Sequence, residues 1–188
     1  RSFVGTKVFN GYDCLIDGFS RQFDPSNLDR RVKSRQSFYL HLHGSPLYYT
    51  GIDGSLNKGS LSSIKQLEGH ASLHLVLTHV KHKMSVIAAS PILKEYWLRL
   101  EEAMSEVDCL ILFGYSGADA HLNSLVERHF SSKDVHIVER KHIEYDTELG
   151  KSERFDFWTK KIGTAKKVCF WMDNILDFNR WPYEHNWS

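Results

Sequence analysis

Two histidines stand one residue apart in "FYLHLHGSPLYY", residues 38–49, and a Gly-Ser follows at once. Strand alternation would put Tyr39, His41 and His43 on one face and Phe38, Leu40 and Leu42 on the other. His43 then ends the strand, beside Gly44. An imidazole in that place can move a proton near neutral pH. A lone histidine on a strand is more often structural than catalytic, and His-x-His can also hold a metal. The metal reading finds no carboxylate or third histidine nearby in sequence. His70, His74, His79 and His82 are scattered, and 11 histidines give some close pairs by chance. No metal is expected.

A second candidate is "LILFGYSGADAHLN". A buried strand runs into Gly-Tyr-Ser-Gly, and a helix capped by Asp119 follows. Gly114 and Gly117 let the backbone turn tightly and approach a ligand. Free amides at a helix start favour an anion such as a phosphate, and Ser116 adds a hydroxyl. Any strand-to-helix turn also favours these residue types, and this is neither GxGxxG nor a P-loop. A third candidate is "VFNGYD", where Asn10 ends a strand and Tyr12-Asp13 follow. An Asn there can orient a water or a ribose hydroxyl; it is also a common turn residue.

These residues need elements to position them. "SPILKEYWLRLEEAMSEV" predicts a helix, with Ser90 as its cap, Pro91 in its first turn and an apolar stripe of Ile92, Leu93, Tyr96, Trp97, Leu100 and Met104. "DCLILFGY" predicts a buried strand, "DAHLNSLVERHF" a helix buried on Leu122, Leu125, Val126 and Phe130, and "DVHIVE" and "KKVCFWM" two more strands. Leu15, Ile16 and Phe19 have helix-like spacing, residues 20–37 read as a loop, residues 55–72 as weakly helical, and "SLHLVLTHV" as β-prone. Apolar strands alternating with helices predict an α/β fold: a Rossmann-like parallel sheet with helices on both faces. In such sheets, ligands bind outside the carboxyl ends of the strands. The 188 residues suit a single domain.

Composition excludes several classes. With 24 basic and 23 acidic residues the net charge is +1, so nucleic acid is not expected as a partner. Three cysteines without a Cys-x-x-Cys argue against a zinc ribbon. Cys109 and Cys169, each in an apolar run, read as core thiols in a reducing, cytoplasmic setting. No run approaches the roughly 20 apolar residues that span a bilayer, so no membrane is expected. The carboxyl-terminal "FWMDNILDFNRWPYEHNWS" is aromatic-rich and is expected to pack.

Taken in order, "FNGYDCLID", "LHLHGSPLYY" and "ILFGYSGADAHLN" resemble the sirtuin-like (silent information regulator) family, in its bacterial NAD-hydrolysing branch. The resemblance spans roughly residues 6 to 140. It implies a partial sirtuin-like domain whose opening glycine-rich phosphate loop would precede residue 1. It implies NAD as substrate, cleaved to nicotinamide and ADP-ribose without a metal. His43 takes the place of the family's active-site histidine, acting at the nicotinamide ribose, with His41 its packed neighbour. Asn10 would share the catalytic work. Gly44, Gly114, Tyr115, Ser116 and Asp13 would line the dinucleotide, Asp119 and Asn123 would brace the turn, and Glu139 would reach a ribose hydroxyl. One departure concerns the register: the family's Asn directly precedes Tyr-Asp, where this chain has Gly11. A one-residue step reverses side-chain direction in a strand. The resemblance further implies an anti-phage effector, with room for a homo-oligomer or a fused sensor domain. The alternative is an inactive nucleotide-binding or assembly domain of the same fold. A protein deacylase fits less well, because the zinc module is missing.

Overall fold

The computed structural model describes residues 15–29, 37–60, 62, 71–76, 83–139, 147–165 and 167–171. Asn10, Gly11, Asp13 and Cys14 lie outside them, as do His70, His79, His82 and the aromatic-rich carboxyl-terminal segment from residue 172. The chain divides into two compact units, residues 1–100 and 101–188.

Among its described residues, the first unit holds two small sheets. Strand β1 (Leu15–Ile16) pairs in parallel with β2 (Ser37–Phe38), and β3 (Tyr48–Thr50) pairs antiparallel with β4 (Leu56–Lys58). Leu15–Ile16 is therefore a strand, not a helix start; its pairing with β2 overrides the helical spacing. Likewise, Leu56–Lys58 is a hairpin strand rather than weak helix. A 3-10 turn at Pro25–Leu28 is capped by the Asp24 side chain and buries Leu28. A second 3-10 turn, Ala71–His74, replaces the start of the expected strand there. Among the described residues of that stretch, Leu75 keeps a β-bridge, to Gly44. Helix α1 (Lys83–Ala89) precedes α2 (Pro91–Glu106).

Helix α2 forms as its sequence predicts. Ser90 Oγ accepts the Leu93 amide at 3.2 Å, and Pro91 opens the helix. Its stripe buries Ile92, Leu93, Tyr96 and Trp97. Tyr96 meets an aromatic cluster in which Phe19 stacks on Tyr48 at 4.9 Å and Phe23 meets Tyr96 edge-on at 5.9 Å. The Tyr96 hydroxyl donates to the Asp17 carbonyl at 2.6 Å, which leaves Tyr48 to donate to Tyr96 at 3.1 Å. Burial pushes both phenols well above their ordinary range.

His74 is 1% exposed. Its Nδ1 lies 2.8 Å from Ser90 Oγ and its Nε2 2.9 Å from Thr50 Oγ1, so the ring ties the α2 cap to β3. Burial holds His74 below the ordinary imidazole value of 6.5; His41 and His136 are lowered for the same leading reason. These rings take up protons at lower pH in the folded protein than in the unfolded chain, which protonates them below about 6.5. The unfolded state then binds more protons, so stability present above that pH is lost as pH falls. Urea midpoints should fall between pH 7.5 and pH 5.5. The His74→Gln variant should show a shallower fall; an equal slope would remove His74 from this account.

The second unit bears out the α/β expectation. Strands β5 (Cys109–Phe113), β6 (Asp134–Val138) and β7 (Lys167–Trp171) form a parallel sheet in that order. The register pairs Ile111 with His136 and His136 with Cys169. Helices α3 (Ala120–Phe130) and α4 (Glu148–Ile162) make the crossovers and pack together. A parallel sheet flanked by helices is compatible with a Rossmann-like fold. The core is Leu112, Leu125, Val126, Phe130, Val135, Ile137, Val138, Trp158 and Ile162. Cys109 and Cys169 are free thiols and only half-buried, which corrects their reading as core residues. Burial raises the Cys109 thiol. Among the described residues, no helix is long and apolar enough to cross a membrane.

Candidate functional site

The candidate residues gather in two places, one in each unit. In the first, the β2 ladder ends at Phe38, and the Tyr39 amide makes one more bond, to the Ile16 carbonyl, at 2.9 Å. The chain then turns: the Leu42 amide bonds to the Leu40 carbonyl, and the Gly44 amide to the His41 carbonyl at 2.7 Å. His43 thus sits in a turn just past a strand end, not on the ladder, and its side chain is exposed. Its backbone is nevertheless pinned. The His43 carbonyl accepts the Val76 amide at 2.9 Å, and the Ser45 amide donates to the His74 carbonyl at 3.3 Å. Gly44 has φ of +79°, in the left-handed region that favours glycine.

Two side chains that sequence reasoning did not assign to the site complete this corner. Lys83, the first residue of α1, places Nζ 3.1 Å from His43 Nε2. Trp97 lies under the same ammonium, 5.1 Å from Nζ to the ring centre. The Trp97 indole N–H donates to the Leu42 carbonyl at 2.9 Å. The helical spacing marks Trp97 only as core, and nothing in sequence links Lys83 to a histidine 40 positions away. His41 is a packed residue: its ring meets Tyr39 edge-on at 4.6 Å and Tyr48 at 5.8 Å. Among the described residues, no three His, Cys, Asp or Glu side chains converge as a metal would need.

In the second unit, the turn after β5 gathers Gly114, Tyr115, Ser116, Asp119 and Asn123. Gly114 and Ser116 are exposed at the carboxyl end of a parallel strand, and the Gly114 amide reaches the Val138 carbonyl at 3.0 Å. Tyr115 folds back onto α3. Its hydroxyl donates to Asn123 Oδ1 at 2.7 Å and accepts the Asp119 amide at 3.1 Å. Burial pushes this phenol up to about 12. Asn123 Nδ2 donates to the Gly117 carbonyl at 2.9 Å. Asp119 caps α3, accepting the His121 and Leu122 amides. Those two amides are therefore taken by the expected Asp119 cap rather than free for a phosphate. Gly117 is buried with φ of +70°, and a Cβ there would come 3.3 Å from the Trp158 ring.

Asn123→Ala removes two bonds at a buried position. The expected cost is about 1–3 kcal/mol, read as a lower urea midpoint. Asn123→Asp should recover little, because it loses the donor to Gly117. A wild-type midpoint in both would show that the turn does not depend on Asn123.

Glu139 follows β6 and is buried. Arg154 of α4 donates to both of its oxygens and stacks over Phe157 at 4.1 Å. The expected ribose contact thus meets a carboxylate already engaged by a guanidinium that the sequence reading did not anticipate. No family model matches the chain, and no curated protein matches it.

Proposed function

We propose that this chain is a sirtuin-like NAD hydrolase that releases nicotinamide and ADP-ribose. One observation carries the reading: His43 is an exposed imidazole on a turn whose backbone is pinned on both sides. A reacting base needs a fixed backbone and an accessible ring. In the proposed reaction the glycosidic bond to nicotinamide breaks, leaving an oxocarbenium-like ribose. Water adds at that carbon and gives up its proton, with His43 as the acceptor or hydrogen-bond partner at the ribose. The turn after β5 supports nucleotide recognition separately, since Gly114 and Ser116 are exposed where open α/β sheets take ligands.

The test is nicotinamide release from NAD by the purified protein, followed by chromatography. Equal amounts of nicotinamide and ADP-ribose are expected. NAD binding without either product would favour the second reading, a nucleotide-binding domain without turnover. That reading draws support from Gly114 and Ser116, exposed at the carboxyl end of β5. Neither binding nor release would overturn both.

A further inference from the structure

We infer that Lys83 controls the lone pair of His43: its ammonium occupies Nε2 until a phosphate-bearing ligand draws it away. The inference rests on the proposed role of His43 at the ribose of NAD.

The chemistry of the pair dictates the arrangement. A lysine ammonium has three donors and no acceptor. At 3.1 Å from Lys83 Nζ, His43 Nε2 must therefore accept, and the ring proton sits on Nδ1. In this state Nε2 offers a ribose hydroxyl no lone pair. It can act as a base there only after Lys83 leaves. One indole holds both partners, since Trp97 lies under the Lys83 ammonium and bonds the carbonyl just before His43. The pair is pre-set, yet His43 is exposed, so the bond is weak against water. A phosphate oxygen makes a stronger, charge-assisted bond to an ammonium than a neutral imidazole does. An arriving pyrophosphate would take Lys83 and release Nε2 in one exchange. Lys83 would thereby couple recognition of the phosphates to the availability of the base.

Nitrogen-15 NMR of the histidine side chains tests this without turnover. In wild-type protein, His43 should show its proton on Nδ1 and a hydrogen-bonded, unprotonated Nε2. Inorganic pyrophosphate, and separately ADP-ribose, should shift the Nε2 signal as the lysine leaves. Lys83→Met should abolish the pyrophosphate response and show the released Nε2 signal from the outset. It should also raise the KM for NAD about tenfold or more, with a smaller effect on kcat. Lys83→Arg should restore part of the response to pyrophosphate. A wild-type Nε2 that carries the proton would overturn the inference. So would pyrophosphate and ADP-ribose shifts that Lys83→Met leaves intact. If NAD is not turned over at all, the hydrolase reading fails, while the two titrations still decide the role of Lys83.

Discussion

Gly44→Ala is expected to destabilise the protein by about 3 kcal/mol or more, summing left-handed backbone strain and steric overlap. The two terms come from separate observations. Gly44 has φ of +79°, which an alanine adopts only with strain. An added Cβ would also overlap the His74 carbonyl oxygen and come within 2.7 Å of the His74 carbonyl carbon. That oxygen cannot simply retreat, because it accepts the Ser45 amide, and the His74 ring is held by Ser90 and Thr50. The substitution should lower the urea midpoint sharply and broaden the NMR signals of residues 41–45 and 74–76. A stable Gly44→Ala protein with wild-type signals would mean that this close approach does not exist in solution.

His43→Ala should lower nicotinamide release by about 10²- to 10⁴-fold, the usual contribution of a positioned acid or base. Its thermal midpoint should stay near wild type. The side chain is exposed, so little packing is lost, and the turn is held by backbone bonds that alanine keeps. His43→Gln is the sharper control. Glutamine can still accept a bond from Lys83 but cannot take a proton, so it should be as inactive as alanine. Activity that survives in both variants would remove His43 from the reaction. Loss of activity together with loss of folding would instead assign the residue to the turn.

The contrast between these substitutions follows what the sequence made legible. The motif His43-Gly44-Ser45 stands out by residue type, but the expected strand stops at Phe38 and His43 is exposed in a turn beyond it. The sequence did not show why glycine is required at 44, because the colliding carbonyl belongs to residue 74. Local signals located α2 well: the Ser90 cap, Pro91 and the apolar stripe all act within one helix. The same holds for β5, α3 and β6, where apolar runs and the Asp119 cap are contiguous. Helix α4 was missed. Thr147 caps it and Gly163 ends it, but charged residues interrupt its apolar positions. Strands β1 and β4 were missed because each is two or three residues long and defined by its partner. Lys83 and Arg154 were missed for a related reason. A charged side chain on a short or polar helix gives no hint of the histidine or carboxylate it will meet.

The hydrogen bonds of α2 also constrain the order in which the chain can assemble. Tyr96 closes onto a carbonyl 79 residues earlier and Trp97 onto one 55 residues earlier. During synthesis, the Asp17 and Leu42 carbonyls must therefore wait for these donors until α2 has left the ribosome. In the second unit each described strand pairs with the next one made, across shorter stretches of chain. Long-range closure is slow and neighbouring pairing is fast. The histidine turn is thus among the parts of the first unit that must wait for α2.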